Sequence, residues 1–243
     1  WTTSLVSNTR LRDMKSKEWD ISGTDQYFYA SVGNKGLIAM SNNAGASFET
    51  KTLIGTTYVD ADSNTQTYDT TSKVGKVTLY GVALTSTYMY FCGGSTNLPS
   101  DKYSKIFRAA TSSWDATASS LTSTTFSTIY TGTVMSETFY DIYSHDGTHV
   151  IAIGKNGVIK YTLDGTVSSP TWVSGTVTGG LSTSLYTIGC ASTFVCWAAG
   201  FSGVVIHTTD KGATWSSMDL SAMPWDSSVN FQYHVLYMVE EPL

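Results

Sequence analysis

The feature that most constrains this chain is a phrase it repeats. Two glycines flank a tight return, a short apolar strand follows, and a polar turn closes on an aromatic residue. The phrase occupies residues 33–48 (GNKGLIAMSNNAGASF), 154–172 (GKNGVIKYTLDGTVSSPTW) and 200–215 (GFSGVVIHTTDKGATW). Self-similarity at a spacing of tens of residues means one supersecondary unit used several times, because a single copy cannot bury its own apolar face. The repeated residues make turns and strands, and none is a group that performs chemistry.

Each phrase is preceded by two further strand-like runs and followed by another, which predicts four complete units. The first has strands at 18–22, 27–33, 37–41 and 48–53, and the second at 79–84, 88–93, 105–110 and 126–131. The third has strands at 139–144, 149–154, 158–162 and 172–177, and the fourth at 185–190, 195–200, 204–208 and 215–220. The runs are short, rich in Val, Ile, Tyr, Phe and Thr, and punctuated by Gly, Asn, Asp and Ser, the signature of antiparallel hairpins. No stretch reads as a helix of useful length. Four-stranded units at this spacing predict an all-β chain of β-propeller blades.

The second half of the repeated phrase resembles a known family motif. Thr208, Asp210, Gly212, Thr214 and Trp215 match the Asp box, Ser/Thr-x-Asp-x-Gly-x-Thr-Trp, of sialidases, sortilin-type receptors, xyloglucan-cleaving hydrolases and the photosystem II assembly-factor family. Ser41, Asn43, Gly45 and Phe48 form a softened copy; Thr162, Asp164, Gly165 and Trp172 form a stretched one; the second unit has none. The resemblance covers almost the whole chain as a fold and about fifty residues as a motif. It implies that the box lies on the face away from the ligand site, and the residue types imply a structural role. The third-position carboxylate or amide can accept N–H groups of the turn, Gly45 and Gly212 can take a positive φ, and the aromatic can pack between blades.

The ends carry further blade material. Trp1 with Thr2 and Thr3 looks like the close of an Asp box, and 230–239 (NFQYHVLYMV) reads as an innermost strand. The expectation is one propeller domain over 1–243, four complete blades with parts of a fifth, forming a portion of a longer propeller.

Charge and cysteine usage limit the partners. The net charge is −5 with 14 scattered Lys and Arg, which argues against nucleic acid, a partner that selects a basic stripe. The longest apolar runs have strand length, so no segment reads as a membrane span. Cys190 and Cys196 fall on facing ends of a hairpin and are either bridged or two buried thiols. Their spacing resembles the Cys-to-Cys hairpin of secreted and lumenal Asp-box proteins, which implies a disulfide and an extracellular or organelle-lumen location. Cys92 reads as a small buried hydrophobe.

Two clusters approach metal-ligand spacing. Asp60, Asp62 and Asn64 are placed like the first half of a calcium loop, but Thr65 and Thr71 stand where that loop needs Gly and Glu. His145 and His149 bracket an Asp-Gly turn and lack a third zinc ligand, so a solvated hairpin tip is expected. No cofactor is expected, calcium being the metal whose ligand pattern is approached.

The sialidase activity that the resemblance raises needs an arginine triad for the substrate carboxylate, whereas this chain has only Arg10, Arg12 and Arg108, none in a Phe/Tyr-Arg-Ile-Pro setting. Glycoside cleavage otherwise needs two opposed carboxyl groups. Asp20 and Asp141 are the candidates, because Trp19-Asp20-Ile21 and Tyr140-Asp141-Ile142 place both after an aromatic on innermost strands. The other class is a non-catalytic protein-interaction or scaffold module. Its recognition surface is expected on the face of the long connectors 54–78, 94–104, 175–184 and 221–230, which carry Tyr58, Tyr68, Tyr103 and Trp225, with Phe201 in a neighbouring hairpin. A protein partner is the leading expectation, with glycan processing or binding as the alternative.

Overall fold

The computed structural model describes residues 10–21, 24–53, 57–59, 65–67, 77–95, 104–111, 126–132 and 137–219. It is an all-β chain of four-stranded antiparallel blades, the fold class of the β-propeller. The chain divides into two compact units, Trp1–Thr138 and Phe139–Leu243.

In the first unit, β1 (Leu11–Ile21), β2 (Thr24–Gly33), β3 (Leu37–Ser41) and β4 (Glu49–Thr52) form one blade in chain order. A separate two-stranded hairpin follows, β5 (Thr57–Val59) with β6 (Thr65–Thr67), inside the long connector 54–78. The second blade is β7 (Val77–Leu84), β8 (Tyr88–Ser95), β9 (Ser104–Ala110) and β10 (Ser127–Thr131). Period-two alternation sends Phe28, Ala30, Val32, Ile38 and Met40 of blade one against Leu79, Val82, Leu84, Met89, Phe91 and Phe107 of blade two, giving the unit a continuous core.

The second unit repeats the plan. Its first blade is β11 (Phe139–Ser144), β12 (Val150–Gly154), β13 (Ile159–Thr162) and β14 (Val173–Ser174). Its second is β16 (Leu185–Cys190), β17 (Cys196–Gly200), β18 (Val205–Thr208) and β19 (Thr214–Ser217). The expected outer strand 172–177 is broken in two at Gly175. Val173–Ser174 pairs with β13, whereas β15 (Thr176–Val177) runs parallel to β19 on the edge of the next blade. Gly175 has no room for a side chain there: a Cβ would lie 2.6 Å from the Gly212 carbonyl oxygen and 2.8 Å from Ile159 Cγ2.

The register of the inner strands matters for function. In each of the four described blades an inner-strand residue faces a glycine and a bulge follows, at Leu11↔Gly33, Leu79↔Gly93, Phe139↔Gly154 and Leu185↔Gly200; that residue opens the strand in three blades and is the third residue of β7. Blade one therefore starts at Leu11, not at the expected residue 18, and the counterpart of Asp141 is Asp13 rather than Asp20. The remainder of β1 and β2 continues past the blade as a two-stranded ribbon, where Asp20 faces Asp25, because β3 pairs with β2 only from Tyr29 to Val32. The side chain of Asp20 lies outside the described residues.

Candidate functional site

The starts of the inner strands gather the side chains with the most chemistry. A bulge inserts one residue into the strand and re-aims it, and the inserted residues are Arg12, Tyr80, Tyr140 and Tyr186. They meet in pairs within each unit. The Arg12 guanidinium lies 5.3 Å from the centroid of the Tyr80 ring, and the Tyr140 and Tyr186 rings are tilted with centroids 5.3 Å apart. Arg12 Nε also donates to Asn34 Oδ1 at 3.0 Å, joining this pair to the neighbouring tight turn.

The carboxylates beside these residues hold blades together. Asp141 is 5% exposed; its Oδ1 accepts the Ile142 N–H at 2.8 Å and its Oδ2 accepts the Ile188 N–H of the next blade at 2.9 Å. Asp13 repeats the arrangement in the first unit, accepting the Met14 N–H at 2.8 Å and the Val82 N–H at 3.0 Å. Sequence reasoning missed Asp13. The signal was the shared phrase apolar-x-Asp-apolar, Leu11-Arg12-Asp13-Met14 against Phe139-Tyr140-Asp141-Ile142, with each leading residue facing a turn glycine. Trp19-Asp20-Ile21 imitated it in the wrong phase.

At the opposite end of the strands the polar turns are closed by their own side chains. In the turn after β18, Thr208 Oγ1 donates to Asp210 Oδ1 at 2.8 Å and accepts the Gly212 N–H at 3.1 Å. Asp210 also accepts the Thr214 N–H at 2.8 Å and the Thr214 hydroxyl at 2.6 Å. Lys211 and Gly212 take φ of 65° and 91° to make the return, and Trp215, fully buried, donates its indole N–H to the Gly212 carbonyl at 2.9 Å. The turn after β3 has the same wiring: Ser41 Oγ donates to Asn43 Oδ1 at 2.8 Å, Gly45 N–H donates to Ser41 Oγ at 2.9 Å, and Ser47 N–H donates to Asn43 Oδ1 at 2.9 Å. Phe48, which follows, is half-buried.

The stretched turn after β13 keeps the central link. The Thr162 hydroxyl donates to Asp164, and the Thr171 N–H, next to half-buried Trp172, reaches the same carboxylate at 2.9 Å. The Thr162 hydroxyl holds the Asp164 carboxyl below the usual carboxylate range against the pull of desolvation. For Asp210, desolvation pushes upward, but hydrogen bonds from Thr214 and Thr208 outweigh it and the carboxyl again sits low. Both carboxylates are thus occupied as turn acceptors.

The histidine pair does not form the expected solvated tip. His145 is exposed, but His149 is buried, and its Nε2 lies 2.8 Å from the Lys211 carbonyl oxygen in the neighbouring blade. Burial holds its imidazole below the usual histidine value, against the raising effects of that hydrogen bond and of Asp146. Lys211 places its ammonium 4.5 Å from the centroid of the half-exposed Phe194 ring, completing a small cluster at this end of the second unit.

Of the expected recognition aromatics, Phe201 projects 41% exposed from a turn whose backbone is held by its N–H to the Ser184 carbonyl at 2.9 Å. Tyr58 lies on β5 facing Gln66, with its side chain outside the described residues. Tyr68, Tyr103 and Trp225 lie outside the described residues, as do Asp60, Asp62 and Asn64. Among the described residues no group of three or more His, Cys, Asp or Glu is placed to hold a metal ion, and no helix is long and apolar enough to cross a membrane. Cys190 and Cys196 face each other across β16 and β17 and are disulfide-bonded, and Cys92 is a buried thiol in β8.

No family model matches the chain, and no curated protein matches it. Among solved structures it is similar to the WD40 repeats of RRP9, at 11% identity over 77% of this chain and 44% of that one, TM-score 0.47. It is similar to YCF48 from Cyanidioschyzon merolae, at 14% identity over 79% and 53% of the two chains, TM-score 0.46. A Trypanosoma rangeli sialidase mutant displaying trans-sialidase activity matches at 12% identity over 85% and 37%, TM-score 0.43. The chain spans about half the length of the first structures it matches, 44%, 50% and 53% of them. No residue role is carried over from these likenesses.

Proposed function

We propose that this chain is an Asp-box propeller that acts as a non-catalytic protein-interaction or scaffold module in an oxidising, extracellular or lumenal compartment. The observation that carries the reading is the use made of Asp141. A glycosidase carboxylate must reach the scissile bond as acid, base or nucleophile, and Asp141 is buried with both oxygens accepting backbone N–H groups of two blades. The wiring of a hydroxyl to a carboxylate in two polar turns, and to the Asn43 amide in the third, supports the Asp-box assignment, and the Cys190–Cys196 bridge supports the compartment. A rigid set of blades presenting exposed ring side chains such as Phe201 suits capture of a protein.

Two parallel assays test the reading. A pull-down from the source organism is compared with a glycan array and a glycosidase screen, each repeated with Tyr58, Tyr103, Phe201 and Trp225 changed to Ala. The expected result is a specific protein captured by the native chain and lost by the variant, with the thermal midpoint nearly unchanged. Selective glycan binding or hydrolysis with no protein captured, or hydrolysis abolished by Asp20→Asn, overturns it in favour of the glycan reading.

A further inference from the structure

The glycine-facing end of β1 carries an arginine that is oriented but not neutralised. Arg12 is exposed, yet its guanidinium is held on two sides, 5.3 Å from the centroid of the half-buried Tyr80 ring and through Nε to Asn34 Oδ1 at 3.0 Å. These contacts leave Nη1 and Nη2 as a planar fork that makes no hydrogen bond among the described residues. The adjacent carboxylate is committed elsewhere: Asp13 accepts the Met14 and Val82 N–H groups and forms its ion pair with Lys15. Glu18 stands six residues further along β1, about 20 Å away at the rise of an antiparallel strand. Asn34 N–H donates to the Arg10 carbonyl at 3.0 Å, so exposed Arg10 and exposed Lys35 belong to the same turn. Neither forms an ion pair among the described residues.

The fold does not require these charges. The bulge residues that correspond to Arg12 in the other blades are tyrosines, Tyr80, Tyr140 and Tyr186. Lys35, at φ 59°, corresponds to Asn156 at 56° and Ser202 at 58° in the equivalent glycine turns. Asn adopts such left-handed backbone more readily than Lys, so backbone geometry does not select a cation there. The cluster also runs against a net charge of −5 for the chain.

We propose that this end of the first unit is a receptor for carboxylate side chains of an acidic peptide segment, with Arg12 as the anchor; the proposal rests on the protein-interaction reading above and names the chemistry of the partner. A guanidinium fork matches a carboxylate through two parallel N–H···O bonds, which a point-charge ammonium cannot reproduce. Because Tyr80 and Asn34 already hold the guanidinium, little orientational freedom is lost when the carboxylate arrives. Arg10 and Lys35 add attraction for neighbouring acids, which speeds encounter and is screened by salt. The Tyr80 ring beside the guanidinium offers apolar surface to a residue next to the acid. Three cations at one turn do not make the stripe that follows a nucleic-acid backbone, so a peptide is favoured over a polyphosphate chain.

Fluorescence anisotropy of the full chain tests this with a fluorescein-labelled peptide, Ala-Glu-Glu-Leu-Glu-Glu-Ala. The native chain is expected to bind it saturably and more weakly as salt rises, and not to bind the same peptide with Gln for every Glu. Arg12→Lys keeps the charge but loses the fork, and is expected to weaken binding about tenfold. Arg10→Ser with Lys35→Asn keeps the fork, and is expected to weaken binding less while flattening the salt dependence. Lys17→Ser, which removes an exposed cation from the far half of β1, is expected to bind as the native chain does. Circular dichroism checks that each variant is folded. Absence of binding up to millimolar chain, equal binding of the Gln peptide, or native affinity in Arg12→Lys overturns the proposal. Displacement of the peptide by a lower concentration of inorganic phosphate assigns the site to phosphate and overturns it equally. A pull-down in which the Arg12→Lys chain still captures the native partner removes the receptor and leaves the interaction reading standing.

Discussion

At the scale of single residues, the polar groups that the sequence offers as chemistry are mostly structural. Asp141 satisfies two backbone donors that its removal leaves buried. Asp141→Ala is therefore expected to lower the unfolding free energy of the second unit by about 2–4 kcal/mol, since an unpaired buried donor costs about 1–3 kcal/mol. Asp141→Asn restores no more than one oxygen acceptor, and urea titration should place it between the native chain and Asp141→Ala. A full-sized loss in Ala with none in Asn would contradict the two-donor account. His149 supplies a pH signature. Its folded value is held below the usual histidine value by burial, so between the folded and unfolded values the unfolded chain binds more protons and stability rises with pH. The contribution is complete above the unfolded value and declines as pH falls through it. His149→Gln should flatten that segment of the stability profile, whereas the same change at exposed His145 should leave it in place.

At the scale of elements, the turns and the bulges were unequally legible. The glycine hairpins stood out because a two-residue turn needs φ above zero at both positions, and Asn156 and Gly157 take 56° and 73°. The glycine that faces each bulge has another cause. A Cβ on Gly200 would lie 2.0 Å from the Ser184 carbonyl oxygen, and one on Gly93 would lie 2.0 Å from that of Thr78, because the bulge brings the start of the inner strand against it. Gly200→Ala is expected to destabilise by about 3 kcal/mol or more through displaced backbone. Gly179→Ala, at φ +82° with nothing within 4 Å of its Cβ, should cost only the roughly 1–2 kcal/mol of left-handed strain. Equal losses at the two sites in thermal melts would refute the close-approach account. The ribbon was not legible: strand patterning continues from blade to ribbon without a break, so position 18 looked as good a start as Leu11. Only the register against Gly33 separates them.

At the scale of the whole molecule, legibility follows the kind of interaction. Repeats, turn chemistry and alternating apolar positions are local in sequence, and from them the four-bladed, all-β plan could be read strand by strand. Pairings that depend on a neighbouring blade could not: Asp13 with Val82, His149 with Lys211 and β15 with β19 join residues distant in sequence or recruit a strand from the next blade. The cysteines stand between these cases. Cys190 and Cys196 close a hairpin whose two strands are consecutive, so their approach could be anticipated, while Cys92 lies in another blade. The short loop sets the expected gain, about 2–3 kcal/mol from restricting the unfolded chain, and replacing both bridged residues with Ala should lower stability by that amount. Mass measurement after alkylation of the denatured, unreduced chain should show one added group, on Cys92, and three after reduction. Three without reduction would remove the disulfide, and with it the support that the bridge lends to an oxidising compartment.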